Sequence, residues 1–369
     1  MKSIIITTVA VLVIIISADR LLKLYENHVA RQDIQKQCAL NPGISAKQQV
    51  DYNRATQFRL EPYTVFGLKP NFKSDTVNIN SLGLRGEGIQ KERDDCYRIV
   101  VLGGSAVFGG SVSDDNHTFC KLLEKQIKRE ANANVEVINA GIPAFISMQE
   151  LILFEDKIIE LKPDLVIVFD GFNDALTILK REKRPNYPWW FSEIEKIYYT
   201  SISRLFMEKR LRKYRPTKHL INWLDKRKNK GILYTVVPEA VDFYKRNLDM
   251  ICHLAESYNI DVLLVFQPMA IYKKNLTENE KKIIRNLDSN YTKALSEMCN
   301  AEKEAMAYVA AKNNVSFADG ASFFTGIHQN IFIDEVHFNQ LGHEITAESL
   351  YEILCDKYNQ GGPWTRKIK

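Results

Sequence analysis

Short apolar runs that alternate with helix-length segments constrain the fold of this 369-residue chain more than any other feature. The runs are rich in β-branched residues and lie at 98–104, 135–139, 164–170, 261–267 and 315–319. Helices are predicted between and after them, at about 117–131, 147–161, 238–259, 277–313 and 342–358. Strands that are apolar on both faces belong in a sheet covered by helices, and their alternation with helices favours parallel strands joined by right-handed crossovers. The sequence therefore predicts an α/β fold, a three-layer α/β/α sandwich around a parallel sheet.

The first run ends in a glycine corner, Arg98-Ile-Val-Val-Leu-Gly-Gly-Ser105. Gly103 and Gly104 supply backbone freedom where the strand must stop and turn. Ser105 is then presented at the carboxyl end of a central strand, the edge where open α/β sheets bind their ligands. A strand followed by a glycine turn is common, so this corner alone does not identify a nucleophile.

Three further blocks follow in chain order and raise the significance of Ser105. Gly141 follows the second run, Asn173 follows the third run, and Asp334 precedes His337 by three residues. Each block has a plain structural alternative: a tight turn at the glycine, a helix N-cap at the asparagine, and a surface-loop histidine. Their joint occurrence at strand ends favours a hydrolase-type site.

The chemistry assigns a role to each of these residues. A serine hydroxyl is a weak nucleophile at neutral pH and needs a base, which in turn needs a group that fixes its tautomer. Ser105, His337 and Asp334 are predicted to fill these roles. We expect the backbone N–H groups of Ser105 and Gly141 and the side-chain amide of Asn173 to bind the oxyanion.

These blocks resemble those of the SGNH (GDSL-type) hydrolase family, over roughly residues 97–358. The resemblance implies a flavodoxin-like strand order, which the alternation also favours, and a serine esterase without cofactor or metal. The first block reads Gly-Gly-Ser where the common form is Gly-Asp-Ser. Upstream, residues 61–71 and 78–86 resemble the lead-in of longer, membrane-anchored bacterial members, which are linked to surface polysaccharide or lipid acylation. We expect residues 23–95 to form a spacer with a small strand and loop region, and 96–360 to form the hydrolase-like domain.

The resemblance leaves three functions open. The first is hydrolysis of acyl or acetyl esters of a carbohydrate or lipid through the Ser105, His337 and Asp334 triad. The second is O-acyl transfer, including O-acetylation of a cell-surface polysaccharide, by the same residues. The third is a polysaccharide-binding protein without catalysis. The other histidines show no metal-ligand spacing with Cys, Asp or Glu, so no metal site is predicted.

Residues 3–18 form an uncharged apolar segment at the N-terminus. The segment is slightly shorter than the roughly 20 residues that cross a bilayer, but Leu21 and Leu22 extend it if the Arg20 side chain reaches the interface. A cleaved signal peptide is the alternative, although Ile16-Ser-Ala18 is a poor cleavage site. We expect residues 1–22 to be a membrane anchor or signal segment with the catalytic domain outside the cytoplasm, although the local charges argue weakly for the reverse orientation.

A basic segment carries the positive charge of the chain. Residues 180–230 hold sixteen Lys and Arg against five Asp and Glu, whereas the whole chain has a net charge of +5. We predict a helical insertion over about 180–235, either a surface for anionic polysaccharide or lipid head groups or a solvated hairpin with aromatic residues packed inward. Nucleic-acid binding is not expected, because no recognised motif accompanies the charge. The six scattered cysteines permit disulfides, Cys38 with Cys96 among them, but their spacing does not fix the pairing.

Overall fold

The computed structural model describes residues 44–89, 96–192 and 235–357, together with residues 194, 195 and 364 and scattered positions from 17 to 39. The chain divides into two compact units, residues 1–42 with 195–231 and residues 43–194 with 232–369. In the first unit, residues 27–35 are helical.

Two predicted segments fall largely outside the described residues. These are the predicted anchor or signal segment, residues 1–22, of which Ser17, Arg20 and Leu21 are described, and most of the predicted insertion, residues 196–234. Where the structure does describe the chain, none of its helices combines the length and the apolar character that a bilayer span requires.

The second unit begins with a small upstream region. Helix α1 (Ala46–Ala55) starts with a capping box in which the Ser45 hydroxyl accepts a hydrogen bond from the Gln48 N–H. The antiparallel hairpin of β1 (Arg59–Glu61) and β2 (Val65–Gly67) follows. The hairpin and the helix in front of it lie within residues 23–95, where a spacer with a small strand and loop region is expected.

The sheet of this unit is parallel and has five strands, β3 (Tyr97–Gly103), β4 (Val135–Gly141), β5 (Leu165–Asp170), β6 (Asp261–Phe266) and β7 (Ser316–Asp319). Its strand order is β4-β3-β5-β6-β7. This order is the predicted flavodoxin-like one, with the chain crossing back once between β4 and β5. The strand that leads to Ser105 therefore lies inside the sheet, and every one of its residues is buried.

Helices cover both faces of the sheet. They are α2 (Ser105–Phe108), α3 (Phe119–Ala131), α4 (Ser147–Leu153), α5 (Asn173–Leu176), α6 (Pro238–Ser257), α7 (Glu278–Arg285), α8 (Ser289–Lys312) and α9 (Gln340–Lys357). Alternate residues of β3 face opposite layers: Ile99 and Val101 pack with α3 and α9, whereas Val100 and Leu102 pack with α4, α6 and α8. The described chain thus confirms the three-layer α/β/α prediction.

Two predicted helices differ in detail. The stretch predicted as one helix over 277–313 is two helices, α7 and α8, because Asp288 interrupts it and its carboxylate accepts the Tyr291 N–H at the start of α8. The stretch predicted at 147–161 begins as α4 and continues through a π-helical turn, Phe154–Ile158, and a 3₁₀ turn, Ile159–Leu161. Within the second unit, Cys96, Cys120, Cys252, Cys299 and Cys355 are free thiols.

Candidate active site

The glycine corner brings the backbone of β3 very close to a side chain from a neighbouring segment. Gly103 has a φ of +155°, in the region that favours glycine. A Cβ atom on Gly104 would lie 2.2 Å from Nδ2 of Asn173, so the missing side chain makes room for this amide. Ser105 follows as the first residue of α2, where a backbone N–H has no acceptor within the helix.

Three of the predicted residues form one hydrogen-bonded chain. Nε2 of His337 lies 2.6 Å from Oγ of Ser105, and Nδ1 of His337 lies 2.6 Å from Oδ2 of Asp334. The other oxygen of Asp334 accepts the backbone N–H groups of Val336 and His337, at 2.9 and 2.8 Å. With the Nδ1 proton held by Asp334, Nε2 is the acceptor that faces the serine hydroxyl.

The electrostatics of the pair suit a base. Burial alone lowers the pKa of His337, but the charge and hydrogen bond of Asp334 outweigh it and raise this pKa above the ordinary 6.5. Burial alone raises the pKa of Asp334, but the charge of His337 and the hydrogen bonds from residues 336 and 337 outweigh it and lower this pKa below 3.8. Asp334 is therefore ionised at neutral pH, and His337 becomes neutral only as the pH rises past its raised pKa.

Gly141, a predicted oxyanion donor, has an N–H with an acceptor inside the protein. Its N–H donates to the side-chain oxygen Oδ1 of Asn139 at 3.0 Å. Gly141 pairs with Gly103 at the end of β4, and a Cβ on it would lie 2.3 Å from the backbone nitrogen of Phe108. The glycine lets β4 approach the nucleophile helix α2, and its N–H is already occupied.

The loop after β4 offers another N–H that the sequence reasoning missed. Residues 142–145 form a turn in which the N–H of Phe145 donates to the carbonyl of Ile142 at 3.1 Å, and Ala144 has a φ of +67°. A proline followed by a residue with positive φ is the pattern of a type II turn, which normally carries glycine at that position. Over the described residues, the N–H of Ala144 has no acceptor. Pro143 was a readable turn signal, but the alanine after it hid the positive φ.

Asn173 occupies the predicted sheet edge. It is the first residue of α5, it is buried, and Nδ2 donates one hydrogen to the carbonyl of Phe145 at 2.7 Å. A primary amide has two hydrogens, so one donor remains. The amide is therefore bonded to the turn that contains Ala144, and it lies against Gly104.

Two neighbouring titratable residues bond other segments of the unit. His343 is buried: its Nδ1 accepts the N–H of Phe119, and burial, with the charge of Arg85, lowers its pKa to about 3. Asp174 accepts the N–H and the hydroxyl of Ser147 at 2.8 and 2.7 Å at the start of α4. Burial raises the pKa of Asp174 to about 6.

A cationic and aromatic rim lies beside the His337 loop. Helix α5 continues as a π-helical turn, Thr177–Arg181. Nζ of Lys180 lies 3.3 Å from the ring centre of Tyr291 and 3.7 Å from the carboxylate of Glu335. The guanidinium of Arg181 lies 4.5 Å from the ring centre of Trp189, and Arg181 is exposed. The described beginning of the basic segment therefore lies next to the loop that carries Asp334 and His337.

A search of the described residues finds no group of His, Cys, Asp and Glu that could hold a metal ion. No protein-family model matches the chain, and no curated protein matches it either.

Solved structures with a similar arrangement of the backbone include three enzymes. The acetyl xylan esterase AlAXEase is 15% identical, with a TM-score of 0.42, and the match covers 70% of this chain and 99% of that one. The lipase/acylhydrolase from Enterococcus faecalis is 18% identical, with a TM-score of 0.42 and coverage of 71% and 96%. A catalytic mutant of Axe2, an acetylxylan esterase from Geobacillus stearothermophilus, is 13% identical, with a TM-score of 0.42 and coverage of 73% and 95%.

Proposed function

We propose that this protein is a serine esterase of SGNH type that hydrolyses an acyl or acetyl ester of a carbohydrate or lipid. The observation that carries the proposal is the continuous chain of contacts from Asp334 through His337 to Ser105, with 2.6 Å at each step. The resemblance in the four sequence blocks supports the same reaction class.

Each triad residue has one chemical task in this proposal. Oγ of Ser105 attacks the ester carbonyl carbon while Nε2 of His337 takes the hydroxyl proton. The tetrahedral intermediate then collapses, the bond to the alcohol oxygen breaks, and His337 returns the proton to that alcohol. Water attacks the acyl-enzyme by the same route and releases the acid and the free serine. Asp334 holds the imidazole in the required tautomer and stabilises its cation throughout.

The oxyanion needs donors that are already in place. The free N–H of Ser105, the second amide hydrogen of Asn173 and the N–H of Ala144 are the donors that we propose. Two contacts support this set: Asn173 bonds the turn of Ala144 through the Phe145 carbonyl, and it lies against Gly104, the residue before the nucleophile.

The cationic and aromatic residues beside the His337 loop suggest which class of molecule carries the ester. Trp189 is a half-buried aromatic residue, and the guanidinium of the exposed Arg181 lies 4.5 Å from its ring centre. In the described chain Arg181 has no carboxylate partner, so it is available to an anionic group of a substrate. We therefore propose an acylated saccharide with a negative charge as the favoured substrate class.

The test is a matched pair of serine variants. Ser105→Ala is expected to abolish hydrolysis of nitrophenyl acetate and covalent labelling by a fluorophosphonate, with the unfolding temperature unchanged. Ser257→Ala removes a hydroxyl at the exposed end of α6 and is expected to change neither signal. Full activity of the Ser105→Ala protein would eliminate the proposal.

A further inference from the structure

The nucleophile helix α2 is a single turn and has few hydrogen bonds of its own. Its i to i+4 bonds run from the Phe108 N–H to the Gly104 carbonyl at 3.1 Å and from the Gly109 N–H to the Ser105 carbonyl at 2.9 Å. The last carbonyls of any helix lack partners within it, and in so short a helix they are a large share of the backbone acceptors. Outside groups must therefore hold its carboxyl end.

Two side chains from other segments bond these carbonyls. Nη1 of Arg85 donates to the carbonyls of Phe108 and Gly109, at 2.6 Å each. Nδ2 of Asn139 donates to the carbonyl of Val107 at 2.7 Å, while Oδ1 of the same amide accepts the Gly141 N–H. Three consecutive carbonyls at the end of α2 are thus held by one guanidinium and one amide.

Arg85 is itself fixed from several sides. Its side chain is 1% exposed, and Nε donates to the carboxylate of Asp115 at 2.8 Å. Its backbone forms an antiparallel bridge with that of Asn139 on the outer edge of β4, the end strand of the sheet. Its guanidinium lies 4.9 Å from the ring centre of Phe108. A cation at a helix C-terminus also interacts favourably with the helix dipole. The upstream segment 78–86, which the proposed chemistry does not use, therefore reaches the nucleophile helix through this residue.

We propose that Arg85 and Asn139 are positioning residues that set the orientation of α2 and so hold Oγ of Ser105 at His337. This inference rests on the proposed esterase function. Catalytic groups must be held within about 0.5 Å of their productive geometry, and a misplacement of about 1 Å can cost about 10²-fold in rate. A one-turn helix with a loose carboxyl end does not meet that requirement.

The chain offers a matched control for a role in stability alone. Arg98 is also buried, with its side chain 2% exposed, and Nε donates to the carboxylate of Glu136 at 2.8 Å. It lies at the amino end of β3, the strand whose carboxyl end leads to Ser105. Replacing it removes a buried guanidinium from the same sheet without touching α2.

The experiment compares Arg85→Ala, Arg85→Lys, Asn139→Asp and Arg98→Ala in the full chain. For each variant we would measure the unfolding temperature, the rate constant of fluorophosphonate labelling at Ser105, and kcat and KM for nitrophenyl acetate. We expect Arg85→Ala and Asn139→Asp to lower the labelling rate and kcat by about 10- to 100-fold with KM changed less than threefold. Arg85→Lys should recover part of the rate, and added guanidinium ion should recover part of the Arg85→Ala rate. Arg98→Ala should lower the unfolding temperature and keep the wild-type rate per folded molecule.

The outcomes separate this inference from the proposed function. Absence of labelling and hydrolysis in the wild-type protein would overturn the esterase itself. Normal labelling of the wild type, with Arg85→Ala and Arg98→Ala losing activity only in proportion to their unfolded fraction, would overturn the positioning role alone. If Arg85→Ala does not fold, Asn139→Asp, which keeps the side-chain volume, decides the question in the same way.

Discussion

Adding one methyl group at position 104 tests the proposed oxyanion site most directly. In Gly104→Ala the new Cβ would stand 2.2 Å from Nδ2 of Asn173, whereas ordinary van der Waals contacts begin at 3.4 Å. The amide or the backbone must therefore move by about 1 Å. The bond from Nδ2 to the Phe145 carbonyl, now 2.7 Å, must stretch or break.

The expected magnitudes follow from that displacement. Loss of one oxyanion donor costs about 10²–10³ in kcat, or about 2.7–4 kcal/mol of transition-state stabilisation. The lost hydrogen bond and the crowding lower the free energy of unfolding by about 1–3 kcal/mol. Because the donor acts in the transition state, KM should change little.

A double-mutant cycle shows whether the effect passes through Asn173. Asn173→Ala removes the same donor and leaves space for the Cβ, so Gly104→Ala should cost almost nothing further in that background. The assay is kcat for nitrophenyl acetate on wild type, both single variants and the double variant, with thermal unfolding of each. Additive losses, or a Gly104→Ala enzyme with wild-type kcat, would refute the reasoning.

Three further predictions address charge. The Asp334→Asn variant loses the carboxylate that raises the pKa of His337, so the acid limb of the pH profile of kcat/KM should move to lower pH. In the same variant kcat should fall by about 10²–10⁴. An unmoved acid limb would contradict the pairing of Asp334 with His337. The Arg181→Ala variant should have a higher KM for an acetylated anionic saccharide and an unchanged KM for nitrophenyl acetate. The rise in KM for the anionic saccharide should be larger at low salt. Equal effects on the two substrates would exclude the proposed anion contact. Glu302 is fully buried with neither oxygen hydrogen-bonded, and burial, with the nearby acidic groups, raises its pKa well above 4.5. The folded state then holds a proton that the unfolded state has released, so stability falls as pH rises above about 4.5. Glu302→Gln should flatten this fall in thermal unfolding, whereas the exposed control Glu278→Gln should not.

The sheet and the residues at its carboxyl edge were predictable because hydrophobic burial leaves a direct trace in sequence. A run such as Ile99–Leu102 is apolar on both faces only if helices cover it. Once the strands are parallel, Ser105 and Asn173 must come to the same edge. The contact between Ser105 and His337 followed from the chemistry required at that edge.

The proposed oxyanion donors were only partly predictable, because hydrogen-bond occupancy depends on tertiary partners. Gly141 has the freedom to approach a ligand, but the amide of Asn139, two residues earlier, accepts its N–H. Ala144 carries no signal of positive φ, because the turn imposes that φ on a residue that rarely adopts it. The burial of His343 likewise depends on the Phe119 N–H, which only the packing of α9 against α3 reveals.

The loop that carries Asp334 and His337 is the part of the site that no strand positions, and a buried ion pair holds it instead. Glu280 and Lys273 are both 0% exposed at their side chains and lie 2.6 Å apart. Oε1 of Glu280 accepts the N–H groups of Ile331 and Phe332 at 2.9 and 3.0 Å, and Nζ of Lys273 donates to the carbonyl of residue 329 at 2.7 Å. A buried pair is retained only when further hydrogen bonds offset its desolvation. Here Oε2 of Glu280 accepts the N–H of Thr277 at 2.8 Å, and the three bonds to residues 329, 331 and 332 go to the backbone that precedes the loop. The pair therefore holds the backbone that leads into Asp334, which explains how a carboxylate on an irregular segment stays aligned with the base.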